Sequence, residues 1–150
     1  MTSTNSEQYA EVLTLEQALD QIQTSPPLRK IKEMLDRTDL SADTKALLYD
    51  AAKITVKIGE TVVAVGRRII DIAYKLVTKF PNTTFAVIVA VVLTTLTTGT
   101  IGAVIPALAV ALNKLIFLLG IATGAIEDLR QNAMKNAMER VCMEFAALQN

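Results

Sequence analysis

The chain has 150 residues, fifteen Lys plus Arg against fifteen Asp plus Glu, and a hydrophobic share of 51%, enough for one domain with a sizeable core. It holds no His, no Trp and a single Cys, Cys142, which excludes histidine acid–base chemistry, Cys/His zinc sites and an internal disulfide. With zero net charge and only 20% of residues charged, the basic footprint of a nucleic-acid binder is missing, so no nucleic-acid partner is expected.

Residues 1–13 are polar and mixed, without the basic-then-apolar order of a secretory signal, and read as a disordered tail with no signal peptide. Residues 14–40 read as two short amphipathic helices. Thr14 to Gln17 has the Thr-x-x-Gln form of a capping box, and Leu15, Ala18, Leu19 and Ile22 share a face. Ser25, Pro26 and Pro27 end that helix and open the next, in which Leu28, Ile31, Met34 and Leu35 recur at helical spacing. Arg29, Lys30 and Lys32 form a small basic group, read as a solvated face.

Residues 41–80 carry the most regular pattern. Leu47, Ala51, Ile54, Ile58, Val62, Val65, Ile69, Ile72, Leu76 and Phe80 follow one another at steps of three or four, which predicts one long amphipathic helix. Asp50, Lys53, Lys57, Glu60, Arg67, Asp71 and Lys75 fall on its other side, with Asp71 and Lys75 placed for an i, i+4 pair. A second row, Ala52, Gly59, Gly66 and Ala73, repeats every seven residues. Small side chains at that interval let another backbone approach, and the row is read as an oligomer seam.

Residues 81–126 hold almost no charge: between Lys79 and Glu127 the only ionisable side chain is Lys114. A spanning helix needs about 20 apolar residues; this stretch is about twice that and is interrupted by Thr97, Thr98, Gly99, Thr100, Gly102 and Pro106. It reads as an apolar helical hairpin, with arms from about Thr84 and from Val104 or Pro106. Its membrane-facing candidates are Phe85, Val89, Val92, Leu93, Leu108, Leu112, Leu115, Phe117 and Leu118. Gly120 and Gly124 form a G-x-x-x-G, a spacing that permits close helix approach in apolar surroundings, and extend the expected seam. Lys114, Thr97 and Thr98 are the polar candidates for a pore or interface. For the threonines a helix-end role, with hydroxyls on backbone carbonyls, is the stronger expectation.

Residues 127–150 return to amphipathic form through Ile126, Leu129, Ala133, Ala137, Val141, Phe145 and Leu148, and are expected to continue the second arm as one helix from about Ala107 to Leu148. Met134, Met138, Met143 and Cys142 form a sulfur-rich patch. No phosphate-binding loop, dinucleotide fingerprint, zinc-protease motif or serine nucleophile elbow occurs. The acids Glu33, Asp36, Asp39 and Asp43 suit helix starts rather than a calcium loop.

The fold class expected is all-α, with long amphipathic helices flanking an apolar hairpin, and no enzyme activity, cofactor or metal is expected. The leading functional expectation is a small helical membrane protein that oligomerises through the small-residue seams into a pore or membrane-perturbing complex. Its partners would be a lipid bilayer, further copies of itself and a protein at the amphipathic ends. The termini are expected on the cytoplasmic side, because Arg67, Arg68, Lys75 and Lys79 precede the hairpin. The alternative is a soluble structural or adaptor oligomer that buries the hairpin.

Overall fold

The computed structural model describes residues 14–99 and 104–149. The expected tail at 1–13, and Thr100 and Gly102 of the hairpin link, lie outside them. The fold is all-α: eight α-helices and one short β-hairpin among the described residues.

Helix α1 spans Leu15–Gln23. Its capping box forms as expected, with the Thr14 hydroxyl accepting from the Gln17 amide at 3.1 Å and the Thr14 amide donating to Gln17 Oε1 at 3.0 Å. Helix α2, Leu28–Asp36, starts directly after Pro27 and buries Ile31 and Leu35. Ser41 caps α3, Ala42–Ala52, by accepting from the Thr44 amide.

The helix expected over 41–80 is instead two helices with a β-hairpin between them. After α3 come strands β1, Val56–Ile58, and β2, Thr61–Val63, paired antiparallel, and then helix α4, Val65–Leu76. Seven of the ten residues from Ile54 to Val63 are β-branched, which lose side-chain freedom in a helix and fit a pleated ribbon. Ile58 pairs with Thr61, so the loop is the two residues Gly59 and Glu60. Gly59 has φ +62, which fits a type II′ hairpin with glycine first. Val56, Ile58 and Val63 point toward the core while Val62 faces outward. The three-and-four spacing fitted this segment because a two-residue alternation also places Ile54 and Ile58 four apart, while Val62 matched the stripe although it faces outward.

The break lets α4 fold back on α3. The Gly66 amide donates to the Ile54 carbonyl at 2.8 Å, and a Cβ at Gly66 would run into the Ala51 carbonyl oxygen and lie 2.9 Å from the backbone of Ala52. The small-residue row therefore does not form one outward face. Ala52 and Ala73 are buried in the core, Gly66 is the crossing point of two helices of the same chain, and Gly59 is a turn residue.

Helix α5, Phe85–Thr98, is capped by Thr84 and is the hub of the bundle. Eleven of its fourteen residues are buried, and α4, α6, α7 and α8 all pack on it. A helix apolar on every side needs such a sheath, and the amphipathic elements supply it. Tyr74 of α4 meets Phe85 edge-on at 6.1 Å between ring centres. Helix α6, Pro106–Leu119, has Pro at its start and makes the other arm of the hairpin.

The single helix expected from Ala107 to Leu148 is broken twice. Gly120 ends α6 in the left-handed conformation, φ +64, a common way to terminate a helix, and α7, Thr123–Gln131, leaves at 112° to it. The second break follows Asn132, whose side-chain amide donates to both the carbonyl and the carboxylate of Asp128. That local bonding competes with continued helix. Helix α8, Lys135–Ala146, and a 3-10 turn at Ala147–Gln149 complete the described residues. Gly120 and Gly124 thus fall on different elements and share no helix face.

Candidate functional site

Exposed large hydrophobic residues gather on the outer side of α6. The helix buries Leu108, Ala111, Leu112 and Leu115 against α5 and α3. On the opposite side Val110 is 52% exposed, Leu118 42% and Phe117 85%. Ala107, Val110, Lys114, Phe117 and Leu118 follow at helical spacing and form one stripe. Val104 extends it at the start, and exposed Ala122 and Ala125 lie beyond its end. Lys114 is the only charged side chain of α6 and is itself exposed. Beside it Leu47 of α3, Asn113, Phe117 and Leu118 line a shallow, nearly wholly apolar hollow of about 430 Å³. Single exposed apolar residues are ordinary; here Phe117, at 85% exposed, lies beside Leu118 and one turn or two from Val110 and Lys114 on a single face.

The membrane candidates therefore separate into two groups. Phe85, Val89, Val92, Leu93, Leu108, Leu112 and Leu115 are buried inside the bundle, whereas Phe117 and Leu118 face outward. No single helix among the described residues is long and apolar enough to cross a membrane; α6 and α7 together have the length and composition, across their 112° bend. Helix α5 has fourteen residues, about 21 Å at about 1.5 Å per residue, against about 30 Å of hydrocarbon.

The threonine hydroxyls take the helix-end role. Thr94 and Thr95 donate to Ala90 and Val91 carbonyls at 2.8 and 2.9 Å, and Thr97 and Thr98 donate to Thr94 and Thr95 carbonyls at 3.2 and 3.1 Å. Lys114 stands apart from them, on α6.

A second polar feature joins α4 to α8. Arg68 donates through Nε and Nη2 to the two oxygens of Glu144, both at 2.7 Å, and through Nη1 to Asp71 at 3.2 Å. Lys75 reaches the same Asp71 oxygen at 3.0 Å, the i, i+4 pair expected from the sequence. Glu144 and Asp71 are each only 6% exposed, so Asp71 lies at the buried edge of α4 rather than on its solvated side. The hydrogen bonding of Arg68 to Glu144 does most to hold the guanidinium above its ordinary pKa, against the opposing effect of burial. Sequence periodicity missed this cluster because Arg68, next to Arg67 in a basic run, carries no mark of its partner 76 positions away.

Cys142 is a free, exposed cysteine at the rim of a hollow that also involves Met138 and Met143. Partial burial is the main influence pushing its thiol pKa up, with Arg130 opposing and Glu139 reinforcing. The exposed acids of α2 and α3 do not converge, and no group of three or more His, Cys, Asp or Glu among the described residues is arranged to hold a metal ion. No protein-family model, curated protein or solved structure matches the chain.

Proposed function

We propose that this protein is a non-catalytic, membrane-binding helical bundle that attaches to an anionic bilayer through the outer face of α6. The observation that carries the reading is the conjunction on one helix of exposed Val110, Phe117 and Leu118 with Lys114 and no acid. Apolar side chains of this kind enter the acyl boundary while a neighbouring lysine stays among anionic head groups.

Magnitudes set the form of the attachment. Burying Phe117 and the exposed part of Leu118 contributes about 3 kcal/mol, and Lys114 about 1 kcal/mol near an anionic surface. About 4 kcal/mol corresponds to a millimolar affinity, so one copy attaches weakly and reversibly. Stable residence requires either several copies on one surface or release of the α5–α6 hairpin into the hydrocarbon, with the termini remaining cytoplasmic. A pore is the oligomeric extension of the second route, with Lys114 as the side chain available to a hydrated interior.

The enclosure of α5 by four helices of its own chain favours a second reading, in which the hairpin stays buried and the α6 face pairs with another copy in a soluble adaptor. Mass determination with and without anionic vesicles separates the two, and carbonate washing then distinguishes surface attachment, which it releases, from bilayer entry. Retention that only detergent reverses supports bilayer entry, and a soluble, monodisperse oligomer supports self-pairing.

A further inference from the structure

Between α4 and α8, away from the α6 face, lies a cleft of about 210 Å³, the volume of about seven liquid waters. Arg68, Lys75, Lys79 and Arg140 line it together with one acid, Glu144. Both Glu144 oxygens are already held by Arg68, and the nearby Asp71 oxygen is shared by Arg68 and Lys75. Lys79 and Arg140 are exposed and have no ion-pair partner among the described residues, leaving the cleft a surplus of two positive charges. The carbonyls that end α4 are already engaged and do not hold the two free cations: those of Tyr74 and Leu76 accept from the amides of Val77, Lys79 and Phe80, and that of Lys75 from the Thr78 hydroxyl. The floor is apolar, made by Ile72, Leu76 and Val141.

Two unpaired cations above an apolar floor match one ligand chemistry. We propose that this cleft binds an anionic amphiphile, with a phosphate or carboxylate head held by Lys79 and Arg140 and a short apolar chain lying on Ile72, Leu76 and Val141. Arg140 supplies the planar fork suited to such oxygens, and Lys79 a mobile point charge. Arg68 has three nitrogens committed to Glu144 and Asp71 and acts as a fixed positive wall. Chemically the head group is the same in a lipid and in a soluble organic phosphate, so the test separates those sources.

The full chain, free of lipid and detergent, is titrated with hexyl phosphate while amide NMR shifts are followed. Saturable shifts at Lys79, Arg140 and Val141 are expected, with affinity at least tenfold weaker in Lys79→Ala/Arg140→Ala and partly restored by Arg140→Lys. Inorganic phosphate should bind at least tenfold more weakly, since each buried methylene is worth about fourfold. Absence of saturable shifts at the cleft, an unchanged affinity in the double variant, or equal binding of inorganic phosphate overturns the proposal. Both replaced side chains are exposed, so an unaltered melting curve verifies the fold. Vesicles of phosphatidylcholine with and without phosphatidic acid identify the source. Weaker capture of the double variant by the acidic vesicles assigns a lipid head group, and unchanged capture beside lost hexyl phosphate binding assigns a soluble anion. Phe117→Ser/Leu118→Ser should leave the hexyl phosphate titration intact, which keeps this site independent of the α6 face.

Discussion

Arg68 of α4 and Glu144 of α8 meet through two parallel 2.7 Å hydrogen bonds across 76 positions of sequence. This fork pins the last helix to the middle of the chain, and Lys75 balances the second acid, Asp71, which Arg68 also reaches. Glu144→Ala strips Arg68 of two of its three hydrogen bonds and leaves it only Asp71, so it should lower stability by about 3 kcal/mol, whereas Arg68→Met/Glu144→Leu should recover part of that loss, with Asp71 keeping Lys75. Urea unfolding of the three proteins checks the order. The folded pKa of Arg68 is raised. The stabilisation linked to its charge is therefore complete below the ordinary arginine value and is lost only as pH rises through the raised one, so titration of Arg68 should not move the melting temperature between pH 6 and pH 9.

The glycines should respond oppositely to the same substitution. Gly66→Ala places a methyl group into the backbone of Ala51 and Ala52 and should cost about 3 kcal/mol, since neither carbonyl can move without breaking the end of α3. Gly59→Ala, in open space but at φ +62, should cost about 1 kcal/mol from conformation alone. Gly124→Ala, in open space and inside α7, should be neutral or stabilise by up to about 1 kcal/mol. Equal losses at all three positions, read by thermal unfolding, would contradict the assignment of these glycines.

Val91 is fully buried in α5, so Val91→Arg should prevent folding of the bundle whether or not a membrane is present; a buried unpaired cation is far more expensive than the packing it displaces. Leu93→Ala should cost 2–5 kcal/mol, a typical range for such core truncations, while Val110→Ser on the outer face of α6 should stay within about 0.5 kcal/mol of the parent. Circular dichroism in the absence of lipid distinguishes these outcomes.

The thiol of Cys142 has a raised pKa, chiefly from burial, so its thiolate fraction at pH 8 falls below that of an unperturbed cysteine. Iodoacetamide should label the native protein more slowly than the protein in denaturant at the same pH, and the difference should narrow as pH approaches 10. Equal rates at pH 8 would contradict the environment described.

The all-α class, the capping box at Thr14 and Gln17, and the two arms of the hairpin were legible from spacing and caps, because each rests on contacts three or four residues apart. The breaks were less so. Ile54 to Val63 satisfied a helical stripe and a strand alternation together, and only the β-branched run with Gly59-Glu60 at its centre distinguishes them. Gly120 read as a packing residue because its neighbour Gly124 completes a motif, although a glycine after an apolar helix equally ends it. The partition of the hairpin into a buried α5 and a half-exposed α6 is largely a tertiary fact: four helices pack on α5 while Phe117 is left uncovered on α6, and the one mark of the difference in the sequence is Lys114, three positions before Phe117. The Arg68–Glu144 fork and the cleft beside it were illegible for the same reason.

The proposed attachment of the α6 face to an anionic bilayer is tested by vesicle flotation of the full chain beside Phe117→Ser/Leu118→Ser, with phosphatidylcholine–phosphatidylglycerol vesicles at several millimolar lipid. The parent protein should float with the vesicles, more weakly as salt is raised, and the variant should remain at the bottom with an unaltered circular dichroism spectrum. A parent protein that stays at the bottom, or a variant that floats equally well, would contradict the assignment of α6 as the membrane-binding face.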